Sequence, residues 1–208
     1  LKIICIGRNY AAHAAELGNA RPDEPIVFMK PGSAVLANGK PFYYPEFSKD
    51  IHYEVEVVVK IAKNGRHVQP QFALDYVDSI GLGLDLTARD LQQKCKEKGQ
   101  PWEIAKAFDH SAPLSAEFIA PAALPDTDDI EFSLEKNGEE VQHGHSRNMI
   151  FSITELICYV SKFFRLQKGD LIFTGTPEGV GSLAVEDELV GYLWTKEGKR
   201  EMLRTRVK

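Results

Sequence analysis

Ile51-His52-Tyr53-Glu54-Val55-Glu56-Val57-Val58-Val59-Lys60-Ile61 is a β-branched run whose period-two alternation reads as a strand. Successive side chains of a strand point to opposite faces, so His52, Glu54 and Glu56 share one face and Tyr53, Val55 and Val57 the other. A strand this apolar belongs in or beside the core, where an unpartnered carboxylate costs several kcal/mol. Something positive must therefore stand between Glu54 and Glu56, and a divalent cation is the simplest choice. The alternative is a half-exposed edge strand whose solvated face carries His, Glu and Glu.

The 208 residues suffice for a full core, and no repeat, low-complexity segment or long linker divides them, which predicts a single domain over 1–208. Apolar and charged fractions are ordinary, and no apolar run approaches a membrane span, so no membrane partner is expected. A formal net charge of -5 argues against a nucleic-acid partner and leaves small-molecule chemistry. Cys5, Cys95 and Cys158 are an odd number without CxxC spacing, which suggests neither a disulfide framework nor a zinc knuckle and fits a reducing compartment. Leu1 to Ile6 is too short for a signal peptide and reads as a strand. The first residue is not Met, so the expected location is the cytoplasm, or an organellar matrix where a leader has been removed.

Several stretches carry polar groups in the right company for chemistry. Gly7 to Gly18 predicts a helix of about two turns, with Asn9 as N-cap and Gly18 as its stop. On it His13 and Glu16 lie three apart, either as an acid/base pair in which the carboxylate orients the imidazole or as an incidental surface pair. Ile26 to Met29 reads as a strand among loops, Asn64-Gly65 as a tight reversal, and Phe72 to Ile80 has helical spacing. Gly81-Leu82-Gly83 lacks the third glycine of a dinucleotide fingerprint. Asp85 either caps a helix Leu86 to Lys98 or supplies a third hard oxygen ligand, and Arg89 and Gln92 follow it at spacings that line one wall. Lys106 sits in an apolar patch, where it either snorkels or meets a carboxylate or a substrate anion. Ile130 to Val141 predicts a hairpin about Asn137-Gly138. His143 and His145 have zinc-ligand spacing, but with no Cys or third ligand nearby in the sequence they read as exposed loop residues. Met149 to Arg165 is the clearest amphipathic helix. Thr174-Gly175-Thr176-Pro177 opens a glycine-rich loop that lacks the P-loop ending and suits a carboxylate cradle.

Taken together, His52-Tyr53-Glu54-Val55-Glu56, Asp85 to Gln92, Lys106 within Ala105-Lys106-Ala107-Phe108-Asp109, and Thr174-Gly175-Thr176-Pro177 resemble the fumarylacetoacetate hydrolase family. The resemblance runs over nearly the whole chain. It is closest to the short acylpyruvase and oxaloacetate decarboxylase branch, which Gly7-Arg8-Asn9-Tyr10-Ala11-Ala12-His13, Gln142 and Met149 to Ser152 also fit. It implies an α+β fold that is mostly β, a mixed β-roll or sandwich with short peripheral helices, assembled as a homodimer. It implies Mg²⁺ or Mn²⁺ held by Glu54, Glu56 and Asp85, with Lys106 on a small 2-oxo acid substrate, Arg89 and Gln92 lining the pocket, and Thr176 holding the carboxylate. His13 and Glu16 would lie on a lid of about residues 7–20. His143-Gly144-His145 departs from the family, where acidic or amide residues are expected.

The implied activity is cleavage of C–C bonds in 2-oxo or 2,4-dioxo acids. Acylpyruvate hydrolysis and oxaloacetate decarboxylation share a pyruvate enolate whose charge the metal offsets, so one site can serve both. Hydrolysis also needs a base for water, a part that falls to His13 oriented by Glu16, while Lys106 faces the developing oxyanion. Related members isomerise or dehydrate. The remaining alternatives are a metal-independent aldolase using Lys106 as a Schiff base and a non-catalytic metal-binding module.

Overall fold

A computed structural model describes residues 1–16, 18 and 20–208. In chain order the elements are β1 (Ile3–Gly7), α1 (Ala11–Glu16), β2 (Ile26–Lys30), β3 (Val35–Leu36), β4 (Ile51–Tyr53), β5 (Val55–Ile61), β6 (Val77–Leu84), β7 (Thr87–Ala88), α2 (Arg89–Lys98) and α3 (Glu103–Lys106). They continue with β8 (Ala112–Pro113), β9 (Glu131–Lys136), β10 (Glu139–His145), α4 (Ile153–Phe163), β11 (Leu171–Phe173), β12 (Gly181–Ser182), β13 (Glu188–Thr195) and β14 (Gly198–Arg206). The fold is mostly β with few short helices, as the resemblance implies.

A mixed sheet in the order β2-β1-β11-β5-β6 faces an antiparallel sheet in the order β10-β9-β13-β14, and only the β1–β11 pair of the first is parallel. Val55, Val57 and Val59 of β5 pack in one core with Leu82 of β6, Phe132 of β9 and Leu189 of β13. Val58 packs on the opposite face with Ile3, Cys5 and Phe173. Burial on both faces explains why β5 is almost continuously β-branched, and its place between β11 and β6 excludes the edge-strand alternative.

Several local expectations are corrected. The run from Ile51 to Ile61 is two strands broken at Glu54: β4 pairs with β7 and β12, and β5 joins the larger sheet. His52 is engaged instead by Asp50, whose Oδ1 lies 3.0 Å from its Nε2. Asn9 is not a helix cap. Its amide donates to Phe151 O at 3.0 Å and Thr174 O at 2.8 Å, and its Oδ1 accepts from Phe151 N at 2.8 Å, so it clamps its own segment to two distant ones. α1 ends at Glu16, while Gly18 has the positive φ of 65° expected of a stop.

Phe72 to Ile80 is not a helix but two 3₁₀ turns leading into β6. Asn64-Gly65 makes no tight reversal: Asn64 Oδ1 accepts from Lys168 N, and Gly65 bridges to Leu166. Asp85 does not cap α2, which begins at Arg89 behind Ala88. α4 is shorter than predicted because a Ser152/Glu155 capping box starts it. The β9–β10 hairpin turns at Asn137-Gly138 as expected, both at positive φ, but His143 and His145 belong to β10 and not to a loop.

Candidate active site

The antiparallel register of β5 on β6 sets Val55 against Leu84 and Glu56 against Gly83. The next residue on each strand is an acid, and Asp85 N donates to Glu54 O at 2.8 Å. Glu54, Glu56 and Asp85 are all buried, and each offers a carboxylate oxygen within 4.8 Å of the others. Three acids from two strands thus converge because the register places one strand's end beside the other strand's start.

Three cations answer them. Lys106 of α3 reaches Glu54 Oε2 at 2.8 Å and Asp85 Oδ2 at 2.6 Å. Arg89, the first residue of α2, donates to Glu54 Oε1 at 2.6 Å and to Gln92 Oε1 at 2.8 Å. Lys30, the last residue of β2, lies 2.9 Å from Asp85 Oδ1 and also donates to Ser111 Oγ and the Lys106 carbonyl. Among the described residues, Glu56 receives only a backbone donor, Gly175 N at 2.7 Å.

The carboxylates are consequently unlike. Burial pushes Glu54 up, but Lys106 and then Arg89 outweigh it and hold this carboxyl well below the usual range. Burial, with Asp85 and Glu54 adding repulsion, pushes Glu56 well above its ordinary value. Burial depresses the Lys106 ammonium, yet Asp85 and Glu54 reverse this and raise it.

The donor set fits a hard divalent cation. All three side chains offer oxygen, the set that suits Mg²⁺ or Mn²⁺. Asp85 Oδ1 is buried and accepts no hydrogen bond, Lys30 standing beside it as an ion pair in poor hydrogen-bonding geometry. Among the described residues, Glu56 has no positive side-chain partner of the kind its two neighbours have. A cation bound by these three residues would supply both deficits.

Around this cluster His13, Arg8, Phe28, Lys96, Trp102 and Thr176 complete a cleft shared with Arg89, Gln92 and Lys106. His13 is buried, and its Nδ1 lies 3.2 Å from Glu16 Oε2. The other Glu16 oxygen accepts from Gly179 N at 3.1 Å, tying α1 to the loop after β11. On that loop Thr176 Oγ1 accepts from Gln142 Nε2 at 2.9 Å, while Gln142 Oε1 accepts from Val55 N at 2.9 Å. Gly175 has φ 102°, and a Cβ there would come within 2.7 Å of Asn9 Cβ, so the loop's approach requires glycine.

The structure therefore brings together all nine residues singled out in the sequence, eight on the cleft wall and Glu16 behind His13. Sequence reasoning missed Lys30, Arg8 and Lys96. Lys30 ends the apolar run Ile26 to Met29, and a lysine closing a buried strand is a signal. Lys96 lies one helical turn beyond Gln92, so its place on the same wall follows from spacing. Arg8 adopts φ 58°, which nothing local announces.

A mostly β fold carrying a buried carboxylate cluster under a cationic wall defines a class of small-molecule enzyme. Residues 2–205 match the fumarylacetoacetate (FAA) hydrolase C-terminal family, and the chain belongs to that family of enzymes. It is 45% identical over 187 residues to oxaloacetate tautomerase FAHD1, mitochondrial, of Bos taurus, across 90% of this chain and 84% of that protein. It is 44% identical over 188 residues to oxaloacetate tautomerase YcgM of Escherichia coli strain K12, across 90% and 86% respectively. The crystal structure of fumarylpyruvate hydrolase from Pseudomonas aeruginosa, in complex with Mn²⁺ and pyruvate, matches with a TM-score of 0.90 and 39% identity, covering 100% of this chain and 89% of that one.

Proposed function

We propose that this enzyme acts on small 2-oxo acids of the oxaloacetate type by forming and protonating an enolate, with a divalent cation held by Glu54, Glu56 and Asp85. The observation that carries the reading is the buried His13, its Nδ1 engaged by Glu16, on the wall of the same cleft as the three carboxylates. When bound, the cation supplies Lewis-acid stabilisation of negative charge developing on the substrate oxygens. Thr176 has one lone pair taken by Gln142 and is left to donate its proton to a substrate carboxylate. Lys106 and Arg89 present fixed positive charge to the enolate oxygen.

With Nδ1 occupied by Glu16, Nε2 is the His13 nitrogen that moves a proton. In keto–enol exchange it takes the C3 proton, the electron pair moves toward the C2 oxygen, and the imidazolium gives the proton to that oxygen, so base and proton count are both restored. The likeness to the bovine and E. coli oxaloacetate tautomerases favours this exchange. A second reading, favoured by the likeness to fumarylpyruvate hydrolase, is cleavage of a 2,4-dioxo acid. There His13 takes a proton from water attacking the distal carbonyl, the C3–C4 bond breaks, and its electron pair stays on C3 until protonation. A Schiff-base aldolase fits poorly: Lys106 is held as an ammonium by two carboxylates, whereas a nucleophilic lysine needs its proton removed.

The test is to follow enol-oxaloacetate, fumarylpyruvate and short acylpyruvates by ultraviolet absorbance with Mg²⁺ or Mn²⁺ and after chelation. Acceleration of the oxaloacetate exchange that chelation abolishes is expected. No acceleration of any of these substrates with either ion overturns the proposal.

A further inference from the structure

The two histidines that sequence reading left as exposed residues acquire a third partner through the hairpin register. His145 of β10 pairs with Glu131 of β9, and His143 lies two residues away on the same strand face. Each of the three offers a ligand atom within 4.8 Å of the others. We propose that Glu131, His143 and His145 form a second metal site, separate from the buried carboxylates, that takes one transition-metal ion of the zinc class.

The geometry is that of prepared ligands. His143 Nδ1 lies 3.1 Å from Glu140 Oε1, and His145 Nδ1 lies 3.0 Å from Asp129 Oδ1. With each Nδ1 engaged by a carboxylate, Nε2 is the atom through which each ring would coordinate, the arrangement in which an outer carboxylate fixes the tautomer of a metal-binding imidazole. His143 Nε2 is 3.1 Å from Glu131 Oε1. That separation matches two donors each about 2.0–2.2 Å from a shared zinc ion at an angle between octahedral and tetrahedral. Arg147 holds Asp129 by its other oxygen at 2.7 Å, so the carboxylate behind His145 is itself positioned.

The chemistry of the two sites differs. Two imidazoles and one carboxylate select zinc-class ions over Mg²⁺, whereas three carboxylates suit a hard cation. The outward-facing histidines alternate with Gln142, which holds Thr176, and Gly144, which abuts Phe132 and Pro177. An ion on this face would therefore pin the strand that supports the active-site loop, without entering the cleft.

The experiment titrates Zn²⁺ into the full chain with Mg²⁺ already saturating, by calorimetry. One Zn²⁺ per chain is expected, with affinity reduced at least tenfold in His143→Gln and in His145→Gln. Asp129→Asn should weaken it by about 10–100-fold, the usual worth of an outer carboxylate. Trp194 lies 5.2 Å from His143 between ring centroids, so Cu²⁺ should quench its fluorescence, and Trp194→Phe should remove that quenching. Melting curves in chelator establish that each variant is folded. Unchanged Zn²⁺ affinity in both histidine variants, or Zn²⁺ that binds only by displacing Mg²⁺, overturns the site.

Discussion

Lys106 Nζ donates to Asp85 Oδ2 at 2.6 Å, so the ammonium already draws on the charge of a carboxylate whose other oxygen, Oδ1, is left without a hydrogen bond for a cation to meet. Lysine and cation are in this respect competitors for one carboxylate. Lys106→Met is therefore expected to keep or increase Mg²⁺ affinity while kcat on oxaloacetate falls about 10²–10³-fold, as when one oxyanion donor is lost. Calorimetry and kcat measured on one preparation check this. Weaker Mg²⁺ binding with unchanged kcat would assign Lys106 to holding the carboxylates and not to the substrate.

Glu56 yields a prediction with a definite sign. Its folded value is raised by burial and then by Asp85 and Glu54, so as pH climbs the unfolded chain loses this proton first and the metal-free fold loses stability. Glu56→Gln, which cannot ionise, should make the metal-free protein more stable than wild type at about pH 7, with the difference fading toward about pH 4. The same variant should bind Mg²⁺ more weakly, because the cation needs the carboxylate. Denaturant unfolding in chelator at several pH values decides the matter, and a variant less stable than wild type at neutral pH would refute it.

These two residues also show what the sequence makes legible. Glu54 and Glu56 stand out because charge contradicts the apolar strand around them, and that contradiction survives in one dimension. The clamp at Asn9 does not, since its partners Phe151 and Thr174 lie 142 and 165 residues away. Phe72 to Ile80 misleads because two 3₁₀ turns followed by a strand can mimic the apolar spacing of a helix. Glu131 becomes the companion of His145 only through hairpin register, which local spacing does not contain.

Thr176 tests the cradle. With Gln142 Nε2 on its oxygen at 2.9 Å, its hydroxyl proton is free for a ligand carboxylate. Thr176→Val should weaken oxalate, a mimic of the planar enolate, by about 0.5–1.5 kcal/mol, the net worth of one neutral hydrogen bond. Competition by oxalate against substrate measures it. An unchanged inhibition constant would remove Thr176 from carboxylate binding.

His13 separates the possible reactions. Its Nδ1 lies 3.2 Å from Glu16 Oε2, and Glu16 is anchored in turn by Gly179 N at 3.1 Å, so the imidazole is held from behind. Hydrolysis of a 2,4-dioxo acid requires water to lose a proton as it attacks, whereas decarboxylation of oxaloacetate needs only an electron sink for the departing carbon dioxide. A base should therefore matter unequally. His13→Ala is expected to lower fumarylpyruvate hydrolysis by about 10²–10⁴-fold, the usual worth of a positioned general base, and oxaloacetate decarboxylation by clearly less. Glu16→Ala should follow the same pattern more weakly, since it orients the imidazole and takes no proton itself. Both rates are to be measured on one preparation at saturating Mg²⁺, with circular dichroism confirming the fold. Equal loss of the two activities would mean that His13 positions substrate or closes the cleft, and its role as the base would have to be withdrawn.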